Sequence, residues 1–223
     1  MKLRKPLLAC ILGASIISGA AGQRRSGEEI TPPSGSDVSA VTRARILVQR
    51  FTKCVVEAQT ARALAYIDAK YDRPGEDGKK ARRALINDLP CAFDGKMELP
   101  VFLFRGEMFR VLYLKEDVAD RLVEPAIDYK AFVIDPQAPN SVEYLNMMAL
   151  AGCVVRSNVG VARAYVVPDP GTAAETEALS ALQPLLGSCF PAGASMKVSR
   201  PFLTAILSEA LYREHGLGLT AQP

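Results

Sequence analysis

Five cysteines and a single histidine are the residues of this 223-residue chain whose chemistry can be weighed first. Cys10 lies in an apolar N-terminal stretch, which leaves Cys54, Cys91, Cys153 and Cys189. An even number of cysteines in an exported chain reads as a disulfide framework, and four cysteines allow three pairings. Zinc is the competing chemistry and fits poorly: there is no C-x-x-C pair, and His215, the only histidine, sits near the C-terminus. One histidine also argues against the usual His-based iron sets, and no D-x-D-x-D-G calcium loop occurs.

Catalytic patterns are equally sparse. There is no G-x-S-x-G elbow, and any Ser or Cys nucleophile would have to use His215 as its base. That histidine precedes Gly216 at the expected end of a helix, where a cation suits the dipole and glycine stops the turn. Neither G-x-x-x-x-G-K nor G-x-G-x-x-G is present to hold a phosphate. Asp68, Asp72, Glu76 and Asp77 read as a solvated turn before a helix. Tyr66, Tyr165, Tyr113 and Tyr212 read as core residues with the hydroxyl at the rim. Arg105 and Arg110 lie in an apolar run; Arg105 could anchor an anionic group, but a partly exposed helix edge accounts for it more simply. No catalytic, cofactor-binding or metal-ligating residue is assigned, and no cofactor is expected.

The elements that must carry these residues begin after a secretory signal. Lys2, Arg4 and Lys5 precede an apolar stretch over residues 7–19 and the small residues Ala20, Ala21 and Gly22, which predicts a signal peptide over 1–22. The stretch is shorter than the roughly 20 apolar residues of a spanning helix. A lipid anchor on Cys10 is the competing reading, with only three apolar residues ahead of that cysteine. Without the three basic residues, the 27 Lys and Arg fall to 24 and equal the 24 Asp and Glu. A neutral mature chain gives no reason to expect nucleic acid or an anionic membrane as partner.

The chain also repeats itself. Cys54-Val55-Val56 recurs as Cys153-Val154-Val155, Ala65-Tyr66 as Ala164-Tyr165, Met97 as Met196 and Leu112-Tyr113 as Leu211-Tyr212, all at an offset of 99. Cys91 follows Cys54 by 37 residues and Cys189 follows Cys153 by 36. Duplication favours the pairs Cys54–Cys91 and Cys153–Cys189, since each unit would close its own bridge. The expected layout is a flexible leader over 23–36, repeat 1 over 37–115, a linker over 116–140, repeat 2 over 141–216 and a tail over 217–223.

Each repeat is expected to hold four helices. The first runs from an Asp37 cap to about Ala58, with Leu47, Phe51, Cys54, Val55 and Ala58 on one face. Its counterpart starts at Ser141 with Leu145, Leu150, Cys153 and Val154 inward. Short second helices fall at 61–66 and 160–166, and the third of repeat 2 opens on a Thr172–Glu175 capping box. Brief extended pieces at 97–99 and 196–198 could pair, and the fourth helices begin near Pro100 and Pro201. Phe104, Met108, Val111 and Leu112 match Leu203, Leu207, Ala210 and Leu211 as inward stripes. Helix four of repeat 1, apolar nearly all round, is expected at the centre; its counterpart, with Glu209 and Glu214, is expected outside. The linker is expected to pack partly on the surface. The fold class is therefore mainly α: two tandem helical repeats related by a pseudo-two-fold, with at most a two-stranded β element.

The set Cys153-Val154-Val155, Ala162-Arg163-Ala164, Cys189, Arg200-Pro201 and Ala210-Leu211-Tyr212-Arg213 resembles a group of uncharacterised secreted proteins of alphaproteobacteria. Repeat 1 shares the pattern without the Arg-Pro and the final arginine. The resemblance implies a duplicated two-cysteine helical unit and no activity.

These features lead to a non-catalytic periplasmic or secreted protein that binds an envelope protein or a small ligand at the seam between its repeats. It would have no stable membrane span once the signal is removed. An envelope hydrolase working through carboxylates is the first alternative. A carrier of a small apolar ligand, lined by residues such as Phe104, Met108 and Met147, is the second.

Overall fold

The computed structural model describes residues 38–71, 75–86, 91, 100–116, 118, 122–190 and 198–218. The expected signal peptide, the leader, Asp37, Asp72, the extended pieces at 97–99 and 196–197, and the end of the tail lie outside them. Among the described residues the chain is helical, without a strand: α1 (Ala40–Ala58), α2 (Thr60–Asp68), α3 (Gly75–Ile86), α4 (Val101–Lys115), a 3-10 turn (Tyr129–Phe132), α5 (Pro139–Ser157), α6 (Val159–Val166), α7 (Ala173–Cys189) and α8 (Arg200–Glu214).

Side-chain oxygens fix four of the helix starts. Ser39 accepts from the Thr42 N–H at 3.1 Å, Asn158 from Val161 at 3.0 Å, Thr172 from Glu175 at 3.2 Å and Ser199 from Phe202 at 3.4 Å. Helix α1 thus starts on Ser39 rather than Asp37. Helix α5 begins two residues before Ser141, with Pro139 in its first turn, and Ser141 is fully buried. The Thr172 box is half made: its threonine caps, but the Glu175 carboxylate turns aside to the Gly171 N–H at 2.8 Å. At the other end of the chain, Gly216 takes φ +74° after α8, which supplies the expected stop.

The inward stripes of α4 and α8 are buried as the spacing predicts, from Phe104 to Leu112 and from Leu203 to Leu211. The two helices pack against each other, α1 lies on α4, and α5 lies on α8. Where α4 meets α8, a β-carbon on Gly106 would fall 2.3 Å from Ala205 Cβ, so only glycine allows that approach. Helix α8 is not an outer helix. Glu209 and Glu214 are 3% and 1% exposed, because arginines and buried tyrosines partner them. Ala58 and Cys153, expected inward, are exposed.

Both bridges form as the duplication suggests, Cys54–Cys91 and Cys153–Cys189. The linker goes deeper than a surface strap. Tyr129, Phe132 and Val133 are buried, and the Arg213 guanidinium lies 3.5 Å above the Phe132 ring. No single described helix is long and apolar enough to cross a membrane. Helices α5 and α6 pass that test only together, across a 115° bend.

Candidate functional site

Arginines on the two central helices hold the ends of shorter ones. The last carbonyls of a helix have no partner within it and carry the negative end of its dipole, so a guanidinium is a good neighbour. Arg105 donates to Tyr66 O at 3.1 Å and Ile67 O at 2.6 Å, at the end of α2. Arg110 donates to Val166 O at 2.7 Å and Val167 O at 2.9 Å, at the end of α6. Neither sits at an exposed edge: they are 5% and 6% exposed. A charged residue in an apolar run reads as outward when its partners are backbone, because residue type does not mark them.

Two carboxylates of α8 complete the buried network. Glu209 accepts from Arg213 at 3.0 Å and from the Tyr144 hydroxyl at 2.9 Å, and lies 3.6 Å from Arg105. Glu214 accepts from Tyr129 at 3.1 Å and pairs with Arg156 at 2.6 Å. Gly152 leaves room for this contact, since a β-carbon there would lie 3.2 Å from the Tyr129 ring. Burial, then the neighbouring glutamates, raise both phenols above the ordinary tyrosine range, so they stay protonated and serve as donors. The network braces helices against one another.

Two grooves flank the α4–α8 contact. The first, about 300 Å³, is apolar: Val41, Ala44 and Val48 of α1, Leu103 of α4, and Pro201 and Thr204 of α8 line it, with Glu107 and Arg45 in its wall. Burial pushes the Glu107 carboxyl up to about 7, against the opposing pull of Arg110, which donates to it at 3.1 Å. Beside the groove, Arg45 and Arg200 hold Glu175 together with the Gly171 N–H. Those contacts outweigh its burial and keep it below the usual carboxylate range. Its oxygens are thus committed to Arg45, Arg200 and the Gly171 N–H.

The second groove, about 640 Å³, is cationic and aromatic. Tyr66, Tyr71 and Phe102 line it with Lys70, Lys79, Arg82 and Arg105, and Glu143 is the one carboxylate among the described lining residues. Positions 41, 44, 201 and 204 of the first groove and 140, 143, 102 and 105 of the second are each 99 apart.

The remaining expected residues fall elsewhere. Phe104, Met108 and Met147 are packed in the core, with Phe104 against Phe51 and Tyr66. Tyr113, Tyr165 and Tyr212 are buried, while Tyr66 reaches the second groove. His215 caps α8, its Nδ1 2.7 Å from Leu211 O. Of the acidic cluster, Asp68 closes α2, and the side chains of Asp72, Glu76 and Asp77 lie outside the described residues. No group of three or more metal-ligating side chains occurs among the described residues.

Neither groove is legible in the sequence, because each draws on three or more distant segments; only the 99-residue offset, applied to every position, pairs them. Comparison with protein-family models, curated proteins and solved structures returned no match.

Proposed function

We propose that this is a duplicated, exported binding protein that holds its partner in the apolar groove between α1, α4 and the start of α8, without catalysing a reaction. The observation that carries the reading is that groove: an apolar recess of about 300 Å³ whose walls come from both sides of the Gly106–Ala205 contact. Its occupant is an apolar side chain or short apolar segment of an envelope protein, with Glu107 and Arg45 as the polar groups that set its orientation.

Duplication is supported by the matched groove positions and by the meeting of positions 106 and 205, themselves 99 apart. In a pseudo-two-fold molecule, equivalent residues touch only at the axis. Export to the periplasm or beyond is supported by the sequence of residues 1–22 and by two disulfides, which are more typical of oxidising compartments.

The test is in-cell photocrosslinking from Ala44, an exposed residue at the groove's rim, with Val142 on α5 as control position. One envelope protein captured from Ala44, absent from Val142 and lost when Leu103→Asp is added, is the expected result. Equal capture from both positions, or none from Ala44, overturns the reading.

A further inference from the structure

We infer that a third groove, on the outer side of α1 and the end of α4, is the docking seat of the chain's own residues 24–34, as its counterpart in the other half is the seat of the linker. The groove holds about 560 Å³ and is bordered by Val167 and Asp169 beyond α6. Leu114 and Val167 are 41% and 47% exposed in it, apolar surface that gains from a cover.

The helix register identifies the cover. Helices α1 and α5 have the same limits at an offset of 99, and so do α4 and α8. The N-caps Ser39 and Ala138 keep that offset, so it carries past the helix starts without a gap. In the C-terminal half, linker residues 126–130 share a recess with Leu145, Met148, Ala149, Gly152, Arg156 and Glu214. At the same offset stand Ile46, Gln49, Arg50, Lys53, Glu57 and Lys115, and all of these line the third groove. On the duplication proposed above, linker residues 123–133 then correspond to 24–34.

Charge complementarity supports the pairing. In the linker's seat Arg156 holds Glu124 at 3.0 Å; the corresponding residues are Glu57 and Arg25, the same pair with its signs exchanged. Glu214, which accepts from Tyr129, corresponds to Lys115, and the segment brings Glu28 and Glu29 beside Ile30. Glu57 lies 4.0 Å from Lys53 with both side chains at least half exposed, so each can turn to the incoming segment. A main-chain bond carries over whatever the residue type: the Val123 N–H donates to Glu214 O at 2.8 Å, as the Arg24 N–H would to Lys115 O. The other end is held less. Lys70 and the Tyr71 N–H donate to Ala131 O and Phe132 O, whereas the Asp169 side chain and Pro170 have no donor to give. The grip therefore falls on residues 24–31, and none of it draws on the occupant of the apolar groove.

Hydrogen exchange read by mass spectrometry, on the purified, oxidised chain starting at Gln23, tests the seat. The amides of residues 25–31 are expected to exchange at least about tenfold more slowly than in an unstructured chain, independently of protein concentration. Arg25→Glu is expected to lower that protection about fivefold, and adding Glu57→Arg to restore it. Leu114→Asp in the groove should lower it as well, and Leu103→Asp in the apolar groove should leave it unchanged, with the circular dichroism spectrum constant throughout. Unprotected exchange of 25–31 overturns the inference and leaves the groove to a separate chain. Protection that falls on dilution also overturns it, since the segment then docks on a second copy. So does protection that is indifferent to Arg25→Glu, or a loss that Glu57→Arg fails to repair.

Discussion

Gly106 of α4 and Ala205 of α8 stand in direct backbone contact: a β-carbon added to Gly106 would lie 2.3 Å from Ala205 Cβ and 2.5 Å from its Cα. The second distance involves main chain, so neither side-chain rotation nor a smaller partner fully relieves it. Gly106→Ala is expected to destabilise the protein by about 2 kcal/mol, the range of overpacked cores. Adding Ala205→Gly should restore only part of this, and urea denaturation of the two single variants and the double variant measures the coupling.

Glu209 receives Arg213, Tyr144 and the nearby Arg105 in a space closed to water. Glu209→Ala would leave two guanidinium groups facing each other, at a cost of about 3 to 5 kcal/mol. Tyr144→Phe removes one donor and keeps the charges, so about 1 kcal/mol is expected. Denaturant midpoints of both variants test the ordering.

The Glu107 carboxyl gives stability a pH dependence of definite sign. Its value in the folded protein is about 7 against an ordinary 4.5, because burial disfavours the charge. Between those values the folded state binds more protons than the unfolded chain, so this contribution falls as pH rises from about 4.5 through 7. Over the whole window it amounts to about 3 kcal/mol. Glu107→Gln should flatten that part of the profile, whatever it does to absolute stability. Thermal melts at closely spaced pH values compare the slopes.

The two bridges differ in access. Cys153 is exposed, whereas Cys91 is 6% exposed. Mild reductant with thiol trapping and mass spectrometry is expected to label Cys153 and Cys189 before Cys54 and Cys91. Loops of 36 and 37 residues predict a similar loss from opening either bridge, about 4 kcal/mol. Paired Cys→Ser variants check it.

Helix periods, the Thr172 and Gly216 ends, and the cysteine pairs are legible in the sequence because each rests on spacing within one stretch or on one repeated offset. The place of helix α8 is not. Glu209 and Glu214 read as markers of a wet face, since a sequence window cannot contain Arg105, Tyr144, Tyr129 or Arg156. Arg105 and Arg110 mislead in the same way, because their partners are carbonyls of α2 and α6 with no signature in residue type. The linker's depth is hidden for another reason: Tyr129 and the run Ala131-Phe132-Val133-Ile134 make an apolar stretch too short to register as a periodic face.

That linker decides how the chain can be divided. Arg156 of α5 grips Glu124 and the Val123 carbonyl, the Val123 N–H donates to Glu214 O, and Phe132 lies under Arg213. Every one of those contacts is to the C-terminal part of the molecule. A cut near residue 118, leaving 122–140 attached to α5, severs none of them. A cut near residue 137 would strip α5 and α8 of their lining and leave Arg213 without its aromatic floor. Two separately made fragments should therefore reassemble from the first break point and fail from the second.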